Sequence, residues 1–127
     1  MSDKSPFFIC KHCGNLATFI LKKGGMLECG SEKMADIIPN TVDASVEKHK
    51  PVVTVSGESV TVEVGSVLHP MQDDHNIPFV YLETKRGNQC KYLKPGEEPK
   101  ATFTLSNDKP IAVYAYCNLH GLWKTAI

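Results

Sequence analysis

Long apolar runs are missing from this chain, and so is any excess of charge of either sign. No stretch approaches the ~20 apolar residues needed to cross a bilayer. The N-terminal MSDKSPFFICKHCG carries acid, base and cysteine where a secretory signal needs an uninterrupted apolar stretch. The chain is therefore expected to be cytoplasmic, with no membrane partner. Lys plus Arg and Asp plus Glu both number 14, for a formal net charge of 0, and no dense basic run could neutralise a row of phosphates. Nucleic acid is not an expected partner. Internal repeats, low-complexity tracts and a helical 3.6-residue apolar stripe are absent as well, which argues against a helical core.

What is present suits an ordinary globular chain: 127 residues, 42% hydrophobic and 22% charged. A single core of this size is feasible, and so is one large unit beside a very small one. The segment 1–37 holds Cys10, Cys13 and Cys29, a Gly24-Gly25 turn and one apolar run from Leu16 to Leu21, too little for a full core. A Cys-x-x-Cys at a hairpin tip with a further Cys downstream is the pattern of a knuckle-type metal site hung with short strands. The stretch IIPNTVD, ending at Asp43, has the Pro and Asn of a linker, so we expect one unit over 1–37 and another over 38–127.

The second unit reads as strands throughout. Val60, Val62 and Val64 alternate with polar residues, and Val52 to Val55 precedes them across Ser56-Gly57-Glu58-Ser59, which predicts a hairpin. Further β runs lie at Phe79 to Thr84, Gln89 to Leu93, Ala101 to Leu105 and Ile111 to Tyr116. Short strands at regular spacing, parted by Gly, Pro, Asn or Asp, predict an all-β chain whose second unit is an immunoglobulin-like antiparallel β-sandwich.

Five cysteines is an odd number, and in a reducing compartment cysteines are more often metal ligands or free thiols than disulfides. Three segments gather the remaining chemistry: Glu47-Lys48-His49-Lys50-Pro51, His69 to His75, and Cys117 to Lys124. Each is expected at a strand end or in a loop, where a rigid scaffold can present side chains at one rim. Imidazole suits iron, copper and zinc, and thiolate adds electron donation, so His49, His69, His75, His120 and Cys117 could make a five-coordinate site. The set is too rich in nitrogen for a structural zinc. On an iron that prefers six positions it leaves one open for a small molecule.

Taken singly, these residues have plainer readings. A lone His in a β protein is usually a surface or satisfied polar group, and a lone Cys117 could be a small buried hydrophobe. Confinement to three segments, and the i, i+3 spacing of Cys117 and His120, favour the metal. Glu47 and Lys48 could be a solvated charge pair. Trp123, Phe79 and Tyr116 read as packing residues, and Cys90 as a free thiol.

The segments EKHKPVV, GSVLHPMQDDH and YCNLHGLWK closely resemble the superoxide reductase family of desulfoferrodoxins and neelaredoxins, over essentially the whole chain. The resemblance implies a mononuclear non-haem iron with four equatorial imidazoles, from His49, His69, His75 and His120, and an axial thiolate from Cys117. It implies one-electron reduction of superoxide to hydrogen peroxide without dioxygen production. Lys48 would attract the anion, and Glu47 would take the sixth position of the ferric resting state. A rubredoxin-like electron donor and a homodimer follow from the same resemblance. The first unit would be desulforedoxin-like, but it departs from the family: where a second adjacent Cys should close an Fe(Cys)4 centre, Cys29 is followed by Gly30. One iron per chain is therefore expected and a second, N-terminal metal is not, with His12 an awkwardly placed alternative ligand. Two other classes compete: a cupredoxin-like electron carrier, disfavoured by four His, and a zinc-stapled binding module.

Overall fold

A computed structural model describes residues 5–127, which divide into two compact units, one ending at Pro39 and one over Asn40–Ile127. Ile37 belongs with the first unit: its N–H donates to the Phe7 carbonyl (3.2 Å).

In the first unit β1 (Phe7–Ile9) pairs antiparallel with β2 (Leu16–Thr18) on one side and β5 (Ala35–Asp36) on the other. A separate small hairpin joins β3 (Glu28–Cys29) to β4 (Glu32–Lys33). The one apolar run of this unit turns outward at its end, with Ile20 97% and Leu21 73% exposed.

The second unit opens with a single turn of helix, α1 (Val46–His49), closed by Lys50 N–H to the Val46 carbonyl at 2.9 Å. This corrects the expectation that the EKH segment lies at a strand end or in a loop. A four-residue helix is too short to leave a periodic stripe in the sequence. Seven strands follow: β6 (Pro51–Ser56), β7 (Ser59–Val64), β8 (Phe79–Thr84), β9 (Asn88–Tyr92), β10 (Lys100–Thr104), β11 (Pro110–Cys117) and β12 (Gly121–Ala126). They form a three-stranded sheet in the order β10-β7-β6 and a four-stranded sheet in the order β12-β11-β8-β9, all neighbours antiparallel.

The reasons are local. β7 buries Val60, Val62 and Val64 and turns Ser59, Thr61 and Glu63 outward, the period of a half-buried strand. β10 does the same with Ala101 and Phe103. These residues meet Val80, Leu82, Val113 and Ala115 of the other sheet in one apolar cluster, which makes the unit a sandwich. Cys117 lies at the edge of that cluster, fully buried.

Gly65, just after β7, lets the loop leading to His69 lie against the backbone of α1. Val67 N–H and Ser66 Oγ both donate to the Glu47 carbonyl, at 2.9 and 3.2 Å. A Cβ at position 65 would sit 2.6 Å from the Glu47 carbonyl oxygen and 2.9 Å from that of Lys50. Backbone atoms cannot yield as a flexible side chain can, so Gly65→Ala should destabilise the protein by about 1–3 kcal/mol. Urea unfolding checks this, and an unchanged midpoint would show that α1 is free to move.

Candidate metal centre

Three parts of the second unit converge. His49 ends α1, His69 and His75 lie in the long connection between β7 and β8, and Cys117 and His120 flank the tight turn from β11 to β12. Ligand atoms of His49, His69, His75 and Cys117 all lie within 4.8 Å of one another. His120 joins them through Nδ1, which is 3.0 Å from His49 Nε2 and 3.7 Å from Cys117 Sγ.

The four rings form a closed circuit. Centroids are 4.7 Å apart for His49 and His69, 4.6 Å for His69 and His75, 5.3 Å for His75 and His120, and 4.8 Å for His120 and His49. The diagonal from His49 to His75 is longer, 6.5 Å, as in a square. Adjacent rings stand edge to face at 71° to 88°. Two nitrogens each ~2.1 Å from one ion and at right angles to each other lie ~3.0 Å apart, which is the separation of His49 Nε2 and His120 Nδ1.

Hydrogen bonds set the tautomers. His49 Nδ1–H donates to the Ser45 carbonyl (2.6 Å) and His69 Nδ1–H to the Pro70 carbonyl (2.7 Å), since a carbonyl can only accept. Each bond leaves the Nε2 lone pair facing the cluster, the usual means of orienting a metal-binding imidazole. Among the described residues, His69 Nε2 and His75 Nε2 are buried without any hydrogen-bond partner. Two such orphans cost about 1–3 kcal/mol each unless something meets them, and a cation does so. The residues therefore fit a metal ion.

Electrostatics agree. Burial pushes His69 down to about 4 and His49 below its ordinary value, so both stay neutral and able to ligate near pH 7. Burial raises the Cys117 thiol, while the backbone N–H groups of Leu119 and His120 work in the opposite direction. A thiolate at this position needs a cation beside it. Four imidazoles with one thiolate suit iron better than the harder oxygen-seeking cations or a closed structural zinc.

Two residues with a structural part in the site were not singled out for it by sequence reasoning. Trp123, read as packing, stacks on the His49 ring (5.2 Å, 26°) and its indole N–H donates to the His120 carbonyl at 3.1 Å. Its place three residues after His120, as the one tryptophan in the chain, was the available signal. Asn118 ties two ligand-bearing loops together: its Oδ1 accepts from Asn76 N–H at 2.9 Å and its Nδ2 donates to the Asp74 carbonyl at 3.0 Å. Glu47 and Lys48 are both exposed on α1, and neither belongs to the converging group. Cys90 is an exposed free thiol on β9.

In the first unit Cys10, Cys13 and Cys29 also lie within 4.8 Å of one another, although no N-terminal metal was expected from the sequence. His12 is exposed and outside that group.

The family described as desulfoferrodoxin matches residues 41–126, a span that contains all four histidines of the circuit and Cys117. The chain belongs to the desulfoferrodoxin family. A desulfoferrodoxin from Clostridium acetobutylicum is 40% identical over 127 residues, covering 100% of both chains. The solved superoxide reductase from Treponema pallidum is 40% identical with a TM-score of 0.77, covering 94% of this chain and 98% of its own. That from Giardia intestinalis is 34% identical with a TM-score of 0.55, covering 64% of this chain and 97% of its own. The match to the Treponema protein spans most of both units, so this desulfoferrodoxin-family chain shares its all-β, two-unit plan.

Proposed function

We propose that this chain is a superoxide reductase, joining superoxide, two protons and one electron into hydrogen peroxide. The single observation that carries the reading is the square of four imidazoles, two of them with orphaned Nε2 atoms, set beside a fully buried cysteine. His49, His69, His75, His120 and Cys117 would hold one iron, which when bound supplies the electron. Similarity to the superoxide reductases of Treponema pallidum and Giardia intestinalis supports that choice of metal and substrate.

The chain's own groups perform the rest. Lys48 is exposed on the same turn as His49, so it offers a cation where the anion arrives although the whole molecule carries a formal net charge of 0. Glu47, exposed beside it, is the carboxylate that would cover the iron in its oxidised state. The Leu119 and His120 N–H groups temper how much charge the Cys117 sulfur donates. Protons reach the site from solvent. We further read the sandwich as immunoglobulin-like, the protein as a cytoplasmic homodimer, and its electron donor as rubredoxin-like.

Pulse radiolysis of the iron-loaded protein tests this. Peroxide should form without dioxygen, and Lys48→Ala should slow the encounter roughly tenfold at low salt and flatten its dependence on ionic strength. Dioxygen release in step with peroxide would identify a dismutase instead. A Lys48→Ala rate equal to that of the wild type at every salt concentration would remove the steering role.

A further inference from the structure

The chemistry above leaves four thiols unused, Cys90 alone on β9 and three others that lie together in the first unit. Cys10 and Cys13 come from the connection between β1 and β2, and Cys29 ends β3, so two separate turns deliver sulfurs to one place. Cys13 Sγ lies 3.3 Å from Cys29 Sγ, and all three sulfurs are within 4.8 Å of one another. The first turn is locked by Cys10 N–H to the Asn15 carbonyl (2.9 Å) and Gly14 N–H to the Cys10 carbonyl (2.8 Å). Gly14 (φ +84°) and Gly30 (φ +65°) each follow a cysteine in the left-handed region, where a side chain would be strained. Backbone N–H groups of His12 and Cys13 point at the Cys10 sulfur, the arrangement that stabilises a thiolate.

The first unit also needs a staple. Among its described residues only Phe7, Cys10 and Pro39 are buried. Units below ~40 residues usually require a disulfide, a metal or a partner to stay folded. A disulfide between Cys13 and Cys29, 3.3 Å apart, would leave Cys10, the most buried of the three, without a covalent or metal partner. A metal engages all three. Zinc takes thiolates at ~2.3 Å in a tetrahedron, which sets sulfurs ~3.8 Å apart, inside the observed span. Magnesium and calcium seek oxygen and do not suit three sulfurs. Gly30 brings no fourth thiolate.

We propose that Cys10, Cys13 and Cys29 form a three-thiolate zinc site whose fourth position takes an exchangeable solvent ligand, water or a small thiol. Cys13 is exposed and Cys29 half-buried, so the site opens at the surface. Each thiol gives its proton to solvent as its bond to zinc forms. This inference is independent of the superoxide reading, because neither the iron ligands nor Lys48 takes part.

The test uses the full-length, iron-loaded protein incubated with zinc and dialysed. About one zinc per chain should remain beside the iron, falling to about none in Cys13→Ser and Cys29→Ser. Cys90→Ser, altered outside the cluster, should keep it, and superoxide reduction should persist in Cys13→Ser. With cobalt as a probe in the wild-type protein, thiolate-to-cobalt absorption should appear and shift on adding 2-mercaptoethanol. Equal zinc in wild type and Cys13→Ser would overturn the proposal. So would a denatured-state thiol count two short of the sequence, which means a disulfide, or a cobalt spectrum indifferent to added thiol, which means the chain itself closes the fourth position. The cobalt and thiol measurements on the wild type decide the matter even if the variants fold poorly.

Discussion

Cys117→Ser should lose both superoxide reduction and the visible thiolate-to-metal absorption. The side chain is fully buried at the edge of the sandwich cluster, 3.7 Å from His120 Nδ1. Serine is close to it in size, so the core should keep its packing. What changes is the donor: a hydroxyl is harder than a thiolate, and burial keeps it protonated. Loss of an outer partner of a metal ligand costs 10–100-fold in affinity or activity, and loss of the ligand itself should exceed about a hundredfold. Iron content, optical spectrum and superoxide kinetics on one preparation check the expectation. A serine variant with wild-type colour and rate would show that Cys117 is a packing residue and that the square of imidazoles works without it.

Much of this arrangement was legible because strands advertise themselves. Val60, Val62 and Val64 alternate with polar residues, and the hairpin they predict is the observed pairing of β6 with β7. α1 was not legible, since four residues cannot display a helical period. The histidines stood out by being confined to three segments, yet what orients them is mostly backbone. The Ser45 and Pro70 carbonyls that fix two tautomers carry no side-chain signature at all. Asn118 reads as an ordinary turn former; that its carboxamide bridges to Asp74 and Asn76, distant in sequence, is a fact of the tertiary fold. The N-terminal cysteines teach the same lesson in reverse. Counting ligands gave three where four were needed and argued against a metal, although the three sulfurs of the knuckle pattern do meet, within 4.8 Å of one another.

Trp123 offers the other large effect, because one side chain supports two ligands in different ways. Its ring stacks on His49 while its N–H holds the carbonyl of His120, and the residue is 2% exposed. Trp123→Phe keeps an aromatic face for His49 but removes the donor, leaving the His120 carbonyl unsatisfied at a cost of about 1–3 kcal/mol. Trp123→Ala removes both and opens a cavity, costing about 3–5 kcal/mol. If the indole merely fills space, metal behaviour should follow stability, and Phe should resemble the wild type in spectrum and iron retention. If it positions the imidazoles, Trp123→Phe should release iron to a chelator roughly 10–100-fold more readily and shift the thiolate absorption, even at temperatures where the variant is fully folded. Chelator competition alongside urea unfolding separates the two, and a phenylalanine variant with unaltered iron affinity and colour would return Trp123 to the core.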